Sequence, residues 1–322
     1  MIPLRIPKEK YEQLNILKQR DYLDYLNEVH FSNIKKGMSK FTQVDEWVKK
    51  EIGSINSVHY DFETVIKADP SRLKVIQNII DNKRIDDSHL WQLYDSDKKK
   101  YAYREPLRSV VNWYNNRLNK YKFTSDLGLT VCPYCNRNYI STGKKSGKNR
   151  VTSHIEHFYP KSVYPLLALS FYNLMPVCPC CNSLKGEEVF DVSIYDIEDS
   201  DKHLRFIIYP NNDEFMSSVD NFEIELDYSQ EFEHNVEHLA LKSLYGTHKD
   251  YVLEIMKKKE IYTKALIGEI YENNEGLFSS KEEMLIALYG NYIEEVNIHK
   301  RPLAKLTKDI YNDLGIIRSK MV

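Results

Sequence analysis

Two cysteine pairs share one spacing: Cys132 and Cys135 in "CPYC", and Cys178 and Cys181 in "CPCC". Thiolates in paired C-x-x-C knuckles suit a tetrahedral ion, Zn²⁺ above all, because a short knuckle lets both sulfurs reach one metal without strain. A redox pair would instead be a single C-x-x-C opening a helix of a βαβ unit, and here there are two pairs and no such unit. Cys180 falls inside the second knuckle, but only Cys178 with Cys181 repeats the step of the first pair, so Cys180 reads as a buried or spare thiol. Five cysteines of which four form such pairs do not resemble a secreted disulfide framework. The opening "MIPLRIPKEKYEQL" carries no signal-like apolar stretch. The expected setting is cytoplasmic and reduced, with no membrane span.

Between the pairs lie "SHIEHFYPKS" and "FYNLMPVCPCCNSLKG". In a strand, His154 and Glu156 face one way while Ile155 and His157 face the other, and a strand end or bulge can bring Glu156 and His157 to one pocket. A carboxylate and an amide oxygen, here Glu156 and Asn182, are hard ligands for Mg²⁺ or Mn²⁺. A histidine such as His157 can take a proton from water near neutral pH. His154 shares the Glu156 face and is a further candidate for metal or phosphate. The surroundings are basic: from Arg137 to Lys161 there are six cations (Arg137, Lys144, Lys145, Lys148, Arg150, Lys161) against one acid, Glu156. In a chain of net charge −2 that is a local feature suited to a phosphate backbone.

The elements that must position these residues follow from periodicity. "KEKYEQLNILKQRDYLDYLNEV", "SRLKVIQNIIDNKR" and "EPLRSVVNWYNNRLNKY" repeat apolar residues at helical intervals. "RNYISTG" and "VTSHIEHFYP" read as two strands of a hairpin joined by a basic "KKSGKNR" turn, and "CCNSLKGEE" as a short helix. Farther on, "RFIIYP" and "NFEIELDYS" read as strands, followed by helical segments to the end. The expected fold class is α+β and mainly helical, with a small ββα unit embedded between helical regions. The expected divisions are 1–125, 126–190 and 191–322.

"HIEHFYPKS…NLMPVCPCCNSLKG" resembles the HNH endonuclease family, the ββα-metal fold with an added four-cysteine zinc site. The nearest group is the HNH nucleases of bacterial anti-phage systems, the Septu-type nuclease subunit and its retron-associated relatives. The resemblance spans about Cys132 to Gly186, and many members carry Asp where this chain has Glu156. It implies DNA hydrolysis, with His157 as general base, Glu156 and Asn182 as ligands of a catalytic Mg²⁺ or Mn²⁺, and Asn173 as an orienting residue. Structural Zn²⁺ would sit on Cys132, Cys135, Cys178 and Cys181. Nucleic-acid contacts would come from Lys185, Lys161, Arg150, Lys148 and Arg137, and a partner would be an ABC-like ATPase or a retron subunit. Two other readings stand beside it: an RNA-cleaving enzyme, and a zinc-stapled nucleic-acid-binding or scaffold subunit without catalysis.

Overall fold

The computed structural model describes residues 2–55, 58–86, 92–95, 100–274 and 276–321. The chain is α+β and more than half helical, and every sheet among the described residues is a two-stranded antiparallel ribbon. It divides into two compact units, neither continuous in sequence. One comprises Ile6–Gly128 and Thr142–Tyr195, the other Met1–Arg5, Leu129–Ser141 and Asp196–Val322. No helix among the described residues is long and apolar enough to cross a membrane.

In the first of these units, helix α1 (Gln19–Gly37) buries Tyr22, Leu23, Leu26, His30, Phe31 and Ile34, one stripe at three- and four-residue spacing. Lys35 and Lys36 in its last turn complement the carbonyl end of the helix. The continuous periodic run expected over 8–29 is interrupted, because Asn15 takes a left-handed φ of 56°, which Asn tolerates better than most residues. Helices α2 (Leu107–Arg117) and α3 (Lys120–Leu127) follow. Asn119 starts α3 by accepting the Lys122 N–H at 2.9 Å. Gly128 ends it at φ 64°, where a Cβ would lie 3.0 Å from Pro7 Cδ.

The expected hairpin is drawn differently by the structure. Strands β1 (Thr142–Lys145) and β2 (Lys148–Val151) pair around Ser146 and Gly147, whose φ values of 50° and 75° give the two-residue turn that follows strand twist. The basic stretch is therefore mostly strand. β3 (His154–His157) pairs instead with β4 (Leu174–Val177), His157 opposite Leu174 and His154 opposite Val177. α4 (Pro179–Lys185) follows directly, with Pro179 in its first turn. "RNYI" folds back on the first cysteine knuckle, bridging Val131 to Tyr139.

In the other unit, β5 (Leu204–Pro210) and β6 (Phe222–Tyr228) form a ribbon where the sequence places two strands. The outer edge of β5 is closed by helix α5 (Ala304–Met321). Asp309 and Asp313, one helical turn apart, accept the N–H groups of Phe206 at 3.0 Å and Ile208 at 2.9 Å. Strand N–H groups on one edge recur every second residue, close to the rise of one helical turn. Lys305, itself buried, neutralises Asp309 at 2.7 Å. Asn136 of the first knuckle is fixed to the same helix by accepting the Lys305 N–H at 2.9 Å.

His30 on α1 is buried, its Nε2 donating to Leu169 O at 2.8 Å. Burial depresses its pKa to about 4, below the ordinary value of about 6.5. The unfolded chain therefore binds this proton first, so stability is intact above pH 6.5 and falls as pH drops towards 4. Urea unfolding of the wild type at pH 7 and pH 4.5, set against His30→Gln, is expected to show a smaller acid loss in the variant. The difference approaches about 3 kcal/mol once the titration is complete.

Candidate functional site

The four knuckle sulfurs come together. Cys132, Cys135, Cys178 and Cys181 are buried, and their Sγ atoms all lie within 4.8 Å of one another, placed to hold one metal ion. None is in a disulfide. Cys180 is exposed and stands outside the cluster. Backbone donors already face the sulfurs: Arg137 N–H points to Cys135 Sγ at 3.4 Å and Cys181 N–H to Cys178 Sγ at 3.5 Å. Such donors spread thiolate charge around a bound cation. The donor set and burial suit Zn²⁺.

β3 carries the second cluster. Glu156 and His157 are each only 5% exposed. Glu156 Oε1 is paired with Lys185 Nζ at 2.8 Å. Burial pushes the Glu156 carboxyl up and the Lys185 ammonium down, and their mutual contact opposes both shifts. The His157 ring stands edge-on to Tyr114, centroids 4.4 Å apart. Its Nε2 is 3.3 Å from Ala168 O. Tyr114 is itself pinned, its hydroxyl donating to Ile155 O at 3.0 Å. Burial first, then the charge of Lys161, lowers the His157 pKa to about 3, so the imidazole is neutral through the physiological range.

Asn173 is the tie. Its Oδ1 accepts Tyr159 N–H at 2.7 Å, and its Nδ2 donates to Tyr159 O at 3.1 Å and Leu167 O at 2.9 Å. These bonds close the chain between the end of β3 and the start of β4, which fixes where His157 stands. Asn182 is half-buried on α4, one turn before Lys185 and on the same helix face, the face that meets Glu156 through Lys185.

The basic residues separate into four environments. Lys148 and Arg150 are exposed on the β1–β2 ribbon. Lys145 stands directly opposite Lys148, a like-charge pair that favours an anionic neighbour. Lys161 is half-buried with its ammonium 5.3 Å from the Tyr114 ring centre. Lys185 departs from the expected phosphate contact. It is fully buried, and its ammonium is held by Glu156, His157 O at 2.9 Å and Glu188 O at 2.8 Å, which uses all three of its protons. Arg137 is turned towards its own unit, Nε donating to His248 Nε2 at 2.9 Å. His154 is exposed at the start of β3, whereas Glu156 two residues on is buried.

Tyr114 and Lys120 were not foreseen. The Lys120 ammonium also lies 5.3 Å from the Tyr114 ring centre, and its charge adds to the depression of His157. Both come from α2 and α3, where they belong to ordinary amphipathic spacing, so no local signal marks them. No family model, curated protein or solved structure matches the chain.

Replacing Asn173 by Ala leaves a buried N–H and two buried carbonyls without their partner. The expected cost is about 3 kcal/mol in urea unfolding, with Asn173→Asp no better, since a carboxylate oxygen would then face the two carbonyls.

Proposed function

We propose that the chain is a metal-dependent endonuclease of the HNH type that hydrolyses DNA phosphodiester bonds. The observation that carries this reading is the pairing of a buried, neutral His157 with a buried Glu156 on one short strand, whose partner strand β4 leads directly into the helix that bears Asn182. The sequence resemblance around "HIEHFYPKS…NLMPVCPCCNSLKG" extends it to the effector of a bacterial anti-phage system working beside an ABC-like ATPase. The four thiols would carry structural Zn²⁺.

Glu156 and Asn182 offer hard oxygen donors, and Glu156 already requires a cation beside it, which Lys185 supplies here. They would hold Mg²⁺ or Mn²⁺. When bound, such an ion supplies charge stabilisation at the scissile phosphate and the leaving 3′ oxygen. The chain's own part is that of a proton acceptor and a positioned frame. His157 is neutral but a weak acceptor in the free chain, its pKa held at about 3 by burial and by Lys161. The negative charge of a bound phosphate would raise it towards the range in which it takes a proton from the attacking water. Tyr114 and Asn173 keep the imidazole and its strand in place, so little reorganisation is needed when charge develops. Lys161 and the exposed cations of the β1–β2 ribbon provide phosphate contacts that position the backbone without reading sequence.

A specific contact also favours a non-catalytic module: the Glu156–Lys185 pair, which satisfies the carboxylate without any metal. The experiment that separates the readings is cleavage of plasmid DNA and of RNA in Mg²⁺ or Mn²⁺, with and without an ATPase partner. His157→Ala is expected to lower the rate by about 10²–10⁴-fold while leaving oligonucleotide binding intact. A wild type that cuts neither polymer in either metal sinks the enzymatic reading.

Metal analysis provides a second check. The folded chain is expected to hold about one zinc. Cys132→Ser, or a strong chelator, should remove it together with a loss of thermal stability far beyond that of a surface substitution.

A further inference from the structure

The positive surroundings of His157 are built by three elements. Tyr114 on α2 is buried and held on two sides, its ring 4.4 Å from the His157 ring and its hydroxyl donating to Ile155 O at 3.0 Å. Lys120, the first residue of α3, and Lys161, in the turn after β3, each place an ammonium 5.3 Å from the centre of that one ring. The two cations are therefore no farther apart than twice that distance. Neither lies farther from the His157 ring than the two contacts laid end to end.

Among the described residues, neither ammonium has an ion pair or a hydrogen bond. The carboxylate that acts most strongly on Lys161 is Glu156, and it is already committed to Lys185 at 2.8 Å. Lys161 is half-buried. Burial lowers its pKa, Glu156 and Glu187 oppose that without reaching it, and the charge of Lys120 adds to the depression. An aromatic face holds an ammonium in place but takes up none of its charge and leaves its N–H groups open. Lys122, two residues along α3, shows the ordinary arrangement: its ammonium is closed by Asp126 at 2.7 Å. Two like charges gathered on one ring and left open are stabilised by an anion between them.

Two separate point charges suit the tetrahedral oxygens of a phosphate, whereas a planar carboxylate is matched best by the single fork of an arginine. The geometry points to Lys120 and Lys161, spread on Tyr114, as a two-lysine clamp for a phosphate oxyanion, with Lys120 a positioning residue for a phosphate brought to His157. The oxyanion comes from a nucleic-acid backbone or from free phosphate. The clamp's service to His157 rests on the hydrolysis proposed above; the clamp itself needs only binding. An anion held there offsets two of the charges that depress His157, those of Lys161 and Lys120, so the ligand prepares its own proton acceptor.

The test is fluorescence anisotropy of the full chain with a labelled DNA duplex over a range of potassium chloride concentrations. No divalent ion is added, so cleavage plays no part. Lys120→Met is expected to weaken binding about fivefold at about 0.15 M salt and to make the plot of log K against log salt shallower by about 0.9. Lys161→Met should do the same, Lys120→Arg should keep most of the affinity, and Lys122→Met should change neither quantity. Displacement of the duplex by millimolar inorganic phosphate at constant ionic strength identifies free phosphate as a ligand; displacement by unlabelled duplex alone identifies the backbone. Lys120 and Lys122 are both exposed, so their comparison decides the matter even where Lys161→Met disturbs its turn. No binding of duplex or phosphate, binding unchanged by Lys120→Met, or an equal loss in Lys122→Met overturns the clamp. A chain that binds with this dependence on Lys120 but never cuts supports the clamp and sinks only the hydrolytic reading.

Discussion

A carboxylate taken out of water must be met by positive charge and hydrogen-bond donors, and each unit is arranged around one that has been. In one unit it is Glu156, answered by Lys185. In the other it is Asp309, answered by Lys305 and by the Phe206 N–H. Neither lysine is more than 1% exposed. Breaking such a pair leaves an uncompensated charge that costs several kcal/mol, although intact buried pairs as a class add little net stability over an apolar replacement. What these pairs supply is position. Lys185 draws α4 onto β3, and with it Asn182; Asp309 sets α5 along the edge of β5.

This changes the meaning of the candidate site. A lysine expected to face a phosphate is instead the resident counter-charge of the carboxylate expected to hold a divalent ion. Proposed catalysis and the observed ion pair draw on the same Glu156 oxygens, so metal affinity at this position is set against an existing contact and not against water. Tyr114, flanked by Lys120 and Lys161, gives the opposite side of His157 a positive environment that owes nothing to the motif itself.

Much of this was legible where the relevant interaction is local. Ligand spacing within a knuckle is a local property, so the four cysteines could be read directly. Glu156 and His157 are chain neighbours, and the hydrogen-bonding capacity of Asn173 suits an orienting role in any fold. The partner of β3 was not legible. "RNYI" and "LMPV" are both apolar enough to pair, and the choice rests on the Ser146–Gly147 turn, which consumes the basic segment in a ribbon of its own. The burial of Lys185 was hidden for a similar reason, since a lysine goes inside only when a distant carboxylate is there to receive it. Tyr114, Lys120 and His30 act across separations no spacing rule reaches.

The clasp on β5 bears on how the chain is made. Its strand neighbour β6 is close in sequence, so the ribbon can zip soon after both leave the ribosome. The carboxylates that cover its other edge lie 103 and 105 residues downstream of the N–H groups they accept. At ordinary synthesis speeds that is a wait of roughly 5–20 s, during which a nascent ribbon displays bare backbone donors able to recruit any passing strand. The order of synthesis, and not the folded state alone, thus makes the last long helix the segment on which safe folding of this unit turns.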